Sequence, residues 1–395
     1  MTAYLLTEPG ARGRESLAEY VGRGGYTGLA TARAEGGRWA IDQVERAGLR
    51  GRGGSGRGNP VADKWRKVAR MGGVAKYAIA NGAESSPVSQ KDRHLLAHYP
   101  HRVLEGLLIA CTAVGAEHAY LYVRGDSEEA LAAVETALSE AREAGLLGDL
   151  TVDLQPSVPS YIAGEETAVI DALEGLEGLP QPKPPHPEEI GMRGNPTVIN
   201  NVESLAAVAA IFRLGIERFR SVGLPDCPGT ALFTVSGAVE KPGVYEVAYG
   251  TCLSDLLALA GAPPAGEILA VLPGGLSSGP LRPDELDVPL TYEALAELGT
   301  SVGPAAVVVF AKAGATLPSM INETVAFLTE AACGQCRGCQ EGHRQLARAL
   351  RAGETAEARE LANVLLYGRG NCSHPTGTAR LALRALQAFP PGAWK

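Results

Sequence analysis

The spacing of apolar and polar residues divides this chain into four regions. In the first, residues 1–71, apolar residues recur every three or four positions at 16–23 and again at 39–47. This spacing predicts two short helices. A segment dense in glycine follows them, which predicts a loop.

The second region, residues 72–225, alternates between two patterns. Strand-like apolar runs lie at 77–81, 119–124 and 151–155, and a helical pattern fills 127–144. Because strand, helix and strand follow one another, we expect an α/β layer with parallel strands, a Rossmann-like core.

The third region, residues 229–312, is rich in strands. The runs LFTVSGAV and VYEVAYG flank a KPG turn, which predicts a hairpin. A short helix at 253–260 follows, and then come the strand-like runs ILAVLPGG and AAVVVFA. This order fits a small β-grasp domain.

The fourth region, residues 319–395, is helical. Four stretches show a helical period, at 321–332, 340–351, 355–367 and 377–389. Three closely spaced cysteines lie between the first two stretches. We expect a C-terminal helical bundle that carries this cysteine group.

Charge and composition exclude several classes of function. The net charge of −8 and the 5% content of aromatic residues argue against nucleic-acid binding. The apolar run at 106–116 falls short of the roughly 18 residues that a membrane helix needs, and the N-terminus does not resemble a secretory signal. Seven cysteines without such a signal indicate a reduced, cytoplasmic protein.

The strongest chemical signal is a set of four cysteines. Cys333, Cys336 and Cys339 have C-x2-C-x2-C spacing, and Cys372 follows after 32 intervening residues. This arrangement is typical of a [4Fe–4S] cluster. Tetrahedral zinc and unligated core cysteines are the competing interpretations.

Other segments suit a bound phosphate or flavin. The segment GLRGRGGSG at 48–56 exposes backbone amides, and Lys64 follows it, although a flexible loop explains the glycines equally well. NGAESSP at 81–87 comes directly after a predicted strand, where α/β sheets bind ligands. YIAGEET at 161–167 and PTVINNVE at 196–203 offer carboxylates and amides, but helix caps or turns are the alternative interpretation.

Taken together, these segments resemble one family. GLRGRGGSG, KW, NGAESSP, KDR, YIAGEET, PKPP, NPTVINNVES and CGQCRGCQEG occur in the order found in the flavin-bearing subunit of respiratory NADH dehydrogenase (complex I). Diaphorase subunits of NAD-linked hydrogenases and formate dehydrogenases share that order. The resemblance covers the chain from about residue 21 to 389, including the β-grasp region, which resembles the family's soluble ligand-binding β-grasp (SLBB) domain.

The resemblance implies where the cofactors bind. FMN would lie between the glycine-rich loop and the second region, and a [4Fe–4S] cluster would lie on the four cysteines. Glu84 and Glu166 would be the catalytic residues. The implied flavin-binding residues are Gly51, Gly53, Gly54, Lys64, Asn81, Glu84, Tyr161, Gly164, Glu165, Glu166, Asn200, Asn201 and Ser204.

The chain departs from the family where the nicotinamide dinucleotide binds. Arg57 and His186 stand where the family has phenylalanines that stack on the dinucleotide, and Ser86 replaces a glutamate that binds it. Ala83 replaces an aspartate near the flavin. The fourth cysteine also lies closer to the third than is usual in the family.

Two functions follow as hypotheses. In the first, the chain oxidises NADH or NADPH and passes electrons through FMN and the cluster to a ferredoxin-like or [2Fe–2S] partner protein. In the second, it binds no nicotinamide and conducts electrons that a partner protein supplies.

Overall fold

The computed structural model describes residues 3–6, 13–54, 58–389 and 391–394. The described N-terminal region contains the helices α1 (Leu17–Gly22), α2 (Thr27–Glu35), α3 (Gly37–Ala47) and α4 (Val61–Arg70). A capping box between Ser16 and Glu19 begins α1. The two helices predicted in this region are confirmed. The apolar pattern does not predict α2, because its sequence TGLATARAE has little one-sided apolar character.

A sheet of four parallel strands forms the α/β layer. Its elements are β1 (Tyr77–Gly82), α5 (Lys91–His98), α6 (Pro100–Val114), β2 (His118–Arg124), α7 (Glu128–Glu143), β3 (Thr151–Ser157), α8 (Glu166–Leu173), β4 (Thr197–Asn201), α9 (Val202–Leu214) and α10 (Ile216–Arg220). The order across the sheet is β3-β2-β1-β4. The three predicted strands are confirmed.

The N-terminal helices and the α/β layer share one apolar core. Leu29 of α2, Val44 of α3 and Trp65 of α4 are buried in the same cluster as residues of α6 and α9. These helices therefore fix the glycine-rich loop, which joins α3 to α4, against the sheet. Because the strand order reverses between β1 and β4, the carboxyl ends of these two strands open the crevice in which such sheets bind ligands.

The third region is a second, mixed sheet. A short ribbon of β5 (Gly223–Leu224) and β6 (Cys227–Pro228) leads into β7 (Thr230–Gly237), β8 (Gly243–Ala248), α11 (Leu253–Leu259), β9 (Ile268–Leu272), α12 (Tyr292–Glu297) and β10 (Ala306–Ala311). The order is β8-β7-β10-β9; β7 and β8 form the predicted hairpin, and β10 runs parallel to β7. Helix α11 packs its leucines onto the sheet.

The fourth region contains α13 (Leu317–Glu330), α14 (His343–Arg351), α15 (Thr355–Leu361) and α16 (His374–Ala388). The predicted helices are present. However, α14 and α15 adjoin π-helical turns at Gly338–Gly342 and Ala362–Leu366, which the sequence pattern does not distinguish from α-helix. None of the described helices is both long and apolar enough to cross a membrane.

Candidate functional site

The glycine-rich loop presents an open backbone. Its stem closes where the Gly51 N–H donates to Asn59 O at 2.9 Å. A Cβ added to Gly51, Gly53 or Gly54 would meet its nearest protein atom at 3.5, 3.4 and 3.7 Å, which is ordinary contact. None of the three has a left-handed φ. Neither packing nor backbone conformation therefore requires glycine, and the open face fits the close approach of a phosphate or a flavin edge.

Ser204 lies beneath this loop on α9. Its buried Oγ accepts a hydrogen bond from the Arg52 N–H at 2.8 Å. In the structure Ser204 anchors the loop to α9, and its contact with the flavin stays a prediction.

The ends of β1 and β4 bring three asparagines together. Asn81 and Asn201 are partners in the strand ladder. The Asn81 side-chain amide donates to Gly164 O at 2.9 Å, and the Asn201 amide donates to Asn81 O at 3.3 Å. The Asn200 side chain accepts from Trp65 Nε1 at 2.8 Å. Segments distant in sequence thus meet at the crevice, as the resemblance implies.

Glu84 follows β1 in a left-handed conformation with φ of 33°. Its buried carboxylate accepts hydrogen bonds from the N–H groups of Asp92 and Arg93, both at 2.9 Å, and from the Ser89 hydroxyl at 2.7 Å. Burial and the nearby Asp92 raise the pKa of Glu84 above its ordinary value, although the backbone hydrogen bonds oppose them. These contacts make Glu84 a cap of α5. Its predicted catalytic role stays a prediction, and the contacts favour a positioning role.

Two lysines and three glutamates form an ion network beside the crevice. Lys64 Nζ lies 2.8 Å from Glu166 and 3.4 Å from Glu188, and Lys183 Nζ lies 2.5 Å from Glu165 and 3.2 Å from Glu166. Burial alone would raise the pKa of Glu166, but the two lysines outweigh it and lower that pKa. Glu166 is therefore an ionised carboxylate at neutral pH. Lys183 and Glu188 also belong to this network, although no sequence motif marks them as site residues.

A second ion network lies deeper and was not foreseen from the sequence. Lys91, which is 1% exposed, places Nζ 2.6 Å from Asp92 and 2.9 Å from Glu203. The other oxygen of Glu203 accepts from the Leu232 N–H of β7 at 3.0 Å. The motif KDR contains Lys91 and Asp92, but a sequence motif alone does not show that its charges are buried.

Tyr161 connects the flavin segment with the cysteine region. Its hydroxyl is hydrogen-bonded to Ser277 Oγ at 2.8 Å. Its ring lies 5.6 Å from the Phe327 ring on α13 and 5.4 Å from the His374 ring at the start of α16. Because His374 is two residues beyond Cys372, Tyr161 connects the segment at 161–167 with the helices that carry the cysteines.

The four predicted cysteine ligands converge in the fourth region. All four are free, and the sulfur atoms of Cys333 and Cys339 are 4.0 Å apart. Burial, together with the nearby Glu165, Cys333 and Cys336, raises the pKa of Cys372 to about 11, although a backbone hydrogen bond from His374 opposes this shift. Four converging thiols fit the ligand set of an iron–sulfur cluster. Among the described side chains, no three His, Cys, Asp or Glu residues are arranged to hold a single metal ion.

The three positions that depart from the family's nicotinamide contacts differ in setting. Ser86 is buried close to Gly275 of the β-grasp domain. A Cβ added to Gly275 would lie 3.7 Å from the Oγ of Ser86. His186 is exposed, and its backbone N–H donates to Glu189 at 3.3 Å. Arg57 lies outside the described residues.

Comparison with known proteins decides the family. The Nuo51 FMN-binding domain matches residues 44–210, the SLBB domain matches 232–270, and the NADH-ubiquinone oxidoreductase-F iron-sulfur binding region matches 319–393. An F-type subunit of NADH-quinone oxidoreductase from Rhizobium meliloti is 36% identical over 394 residues, covering 94% of this chain and 92% of that protein. The chain belongs to the family of F-type subunits of NADH-quinone oxidoreductase. It is an oxidoreductase flavoprotein with FMN and a [4Fe–4S] cluster, so the iron–sulfur interpretation is confirmed over zinc.

Other members of this family are equally similar. The F-type subunit of Streptomyces coelicolor is 37% identical, covering 92% of this chain and 84% of its own length. Among solved structures, an NAD+-reducing [NiFe]-hydrogenase in the H2-reduced state superposes with a TM-score of 0.82 at 32% identity. That match covers 92% of this chain but 63% of the hydrogenase chain, so the present chain spans less than two thirds of the hydrogenase chain. The predicted fold class is confirmed.

Proposed function

We propose that this chain oxidises NADH or NADPH in the cytoplasm and delivers the electrons through FMN and the cluster to a ferredoxin-like or [2Fe–2S] protein. The observation that carries the proposal is the bridge formed by Tyr161, which contacts the cluster side through His374 while the adjoining segment reaches Asn81 through Gly164. All seven cysteines are free, which supports a reducing compartment.

The residues at the crevice suit FMN by their chemistry. The amides of the glycine-rich loop and Lys64 would hold its phosphate and ribityl chain, and the asparagines would face its polar edges. Bound FMN takes up two electrons together and releases them singly, which is the chemistry that a hydride donor and a one-electron cluster require of it. The ion pair with Glu166 would keep Lys64 charged and would hold its side chain in place for binding FMN.

Electron exit is supported by the surface beside the cysteines. Val364 and Tyr367 are 56% and 52% exposed, and the Arg337 side chain is 74% exposed. The segments that carry them pack together, since a Cβ added to Gly342 would lie 2.9 Å from Leu366 Cδ2. Basic residues outnumber acidic ones in residues 319–395, although the whole chain is acidic. An acidic electron carrier suits this surface, which we name the exit surface: Arg337, Val364 and Tyr367.

Nicotinamide use is proposed with weak selectivity. Ser86 offers no carboxylate to bond ribose hydroxyls or to repel a 2′-phosphate. His186 and Arg57 replace stacking rings, and base–aromatic stacking contributes about 1–3 kcal/mol per base. We therefore expect slow NADH turnover with little preference over NADPH.

The replacement Cys336→Ala tests the electron route. Without the cluster, NADH-dependent reduction of a [2Fe–2S] ferredoxin should fall at least about 100-fold, because the one-electron path is cut. Reduction of ferricyanide, a small acceptor that reaches the flavin directly, should persist. The replacement Cys252→Ala, at a half-buried cysteine of the β-grasp domain, is the matched control. Undiminished ferredoxin reduction in an iron-free variant would refute the proposal.

A further inference from the structure

A tyrosine of the β-grasp domain touches the glycine-rich loop directly. The Tyr292 hydroxyl, at the start of α12, donates to Gly51 O at 2.7 Å. The Arg50 guanidinium lies 4.7 Å from the centre of the Tyr292 ring and forms an ion pair with Glu293 at 2.8 Å. Gly58 passes so close that an added Cβ would lie 2.0 Å from the same ring. The β-grasp domain thus contacts the loop on both sides of its tip.

Arg52 reaches from the loop into the β-grasp domain. Its guanidinium lies 4.6 Å from the centre of the Tyr249 ring, and Nη2 donates to Pro228 O at 3.2 Å. Nη1 lies 3.5 Å from Cys227 Sγ. Arg52 is only 4% exposed, and among the described residues it forms no ion pair within 4 Å, although the Glu203 carboxylate acts on its charge from farther away. The face of the Tyr249 ring therefore stabilises this buried cation.

The backbone of Arg52 faces the opposite way. Its N–H is the donor that bonds Ser204 on α9. A single loop residue is therefore fixed to the α/β layer through its backbone and to the β-grasp domain through its side chain. The next two residues are Gly53 and Gly54, whose open faces belong to the candidate flavin site.

We propose that the β-grasp domain positions the flavin-binding loop, with Arg52, Tyr249 and Tyr292 as positioning residues. The inference rests on the proposed placement of FMN at that loop. Because these contacts already hold residues 50–52 of the loop, that part loses little further conformational freedom when FMN binds, so the contacts raise flavin affinity without touching the flavin.

FMN affinity of the deflavinated chain, with its cluster intact, tests the proposal. Arg52→Met should weaken FMN binding about tenfold, which corresponds to about 1.4 kcal/mol. Tyr292→Phe removes one hydroxyl and should weaken binding about threefold. Arg52→Lys should recover part of the loss, because lysine keeps the charge but loses the planar stack. Arg52→Met combined with Tyr249→Leu should be no weaker than Arg52→Met alone, since both remove one contact.

Two controls separate positioning from general damage. Tyr245→Phe alters a tyrosine of the same domain whose hydroxyl donates to Lys241 O within its own hairpin, and it should leave FMN affinity unchanged. Iron content and the thermal unfolding midpoint of the conservative Tyr292→Phe variant should match the parent chain. The flavin midpoint potential of Arg52→Met should shift, because a displaced loop changes the groups around the flavin.

The two proposals fail in distinguishable ways. If Lys64→Met weakens FMN binding while Arg52→Met and Tyr292→Phe bind FMN as tightly as the parent, the positioning role is overturned and the flavin site stands. If Lys64→Met and Gly54→Leu also leave FMN affinity unchanged, FMN does not lie at this loop, and both proposals are overturned.

Discussion

Lys64 and Glu166 show how individual charges depend on one another at this site. Burial alone would lower the pKa of Lys64 and raise that of Glu166, yet their contact, together with Glu188 beside Lys64 and Lys183 beside Glu166, reverses both shifts. Glu166 therefore contributes stability above its ordinary pKa of 4.5, and that contribution is lost as the pH falls through its lower pKa in the folded chain. Lys64 contributes below 10.5, and its contribution is lost as the pH rises through its higher folded pKa.

The replacement Lys64→Met should therefore destabilise the chain in a pH-dependent way. At pH 7 the free energy of unfolding should fall by about 2 kcal/mol, between the values for exposed and buried ion pairs. The difference from the parent chain should shrink as the pH falls below 4.5 and through the lowered pKa of folded Glu166, because the carboxylate then becomes protonated in both chains. Urea denaturation at several pH values measures it, and Lys67→Met on the exposed side of the same helix is the control. A pH-independent loss would contradict the ion-pair account.

Sequence motifs predicted some residues of the site better than others. Asn81, Gly164, Asn200 and Asn201 were predicted from separate segments, and the structure brings them together because β1 and β4 are neighbours. The ion network around Lys91 could not be predicted, because the sequence does not distinguish a buried lysine from an exposed one. Only the packing of α5 in the structure shows that Lys91 is buried.

At the scale of elements, the length of a helix or strand and the regularity of its apolar pattern determine whether the sequence predicts it. The long helices and the three strands with apolar runs follow from pattern alone. Strand β4 does not, because TVINN is short and ends in two asparagines that equally suit a turn or a cap; in the structure Asn201 ends the strand and also caps α9. The π-helical turns escape prediction because each is only five residues long and lies beside an α-helix within one continuous helical pattern.

The cluster is expected to stabilise the C-terminal helices. Cys339 lies in the π-helical turn before α14, and Cys372 lies just before α16, so one cluster joins segments that are distant in sequence. In the variant Cys336→Ala, amide hydrogen exchange in α14 and α16 should become faster. The reason is that the free energy of cluster binding no longer stabilises the folded state of these helices. Exchange in β1 and β2 should not change. Equal acceleration in both regions, or none in either, would contradict this role of the cluster.

At the scale of the whole molecule, charge is unevenly distributed. The chain is acidic, but basic residues outnumber acidic ones in residues 319–395, and Arg337 of the exit surface is largely exposed while it pairs with Glu341 at 3.2 Å. Arg337→Glu should lower kcat/KM for an acidic [2Fe–2S] ferredoxin about fivefold at low salt, and the difference should disappear at high salt, where charge interactions are screened. Ferricyanide reduction should stay constant. Arg142→Glu, an exposed arginine of α7, is the control, and an equal effect from it would exclude a docking role for the exit surface.

Anaerobic titration of the purified chain with NADH and NADPH, followed by flavin absorbance and by the paramagnetic signal of the reduced cluster, tests the central claim most directly. We expect both nucleotides to bleach the flavin at similar, modest rates and the cluster signal to appear. Arg57→Phe combined with His186→Phe should accelerate the bleaching, because stacking contacts are restored. If neither nucleotide bleaches the flavin while a reduced ferredoxin does, the chain is a nicotinamide-independent electron carrier, and the proposed function is wrong.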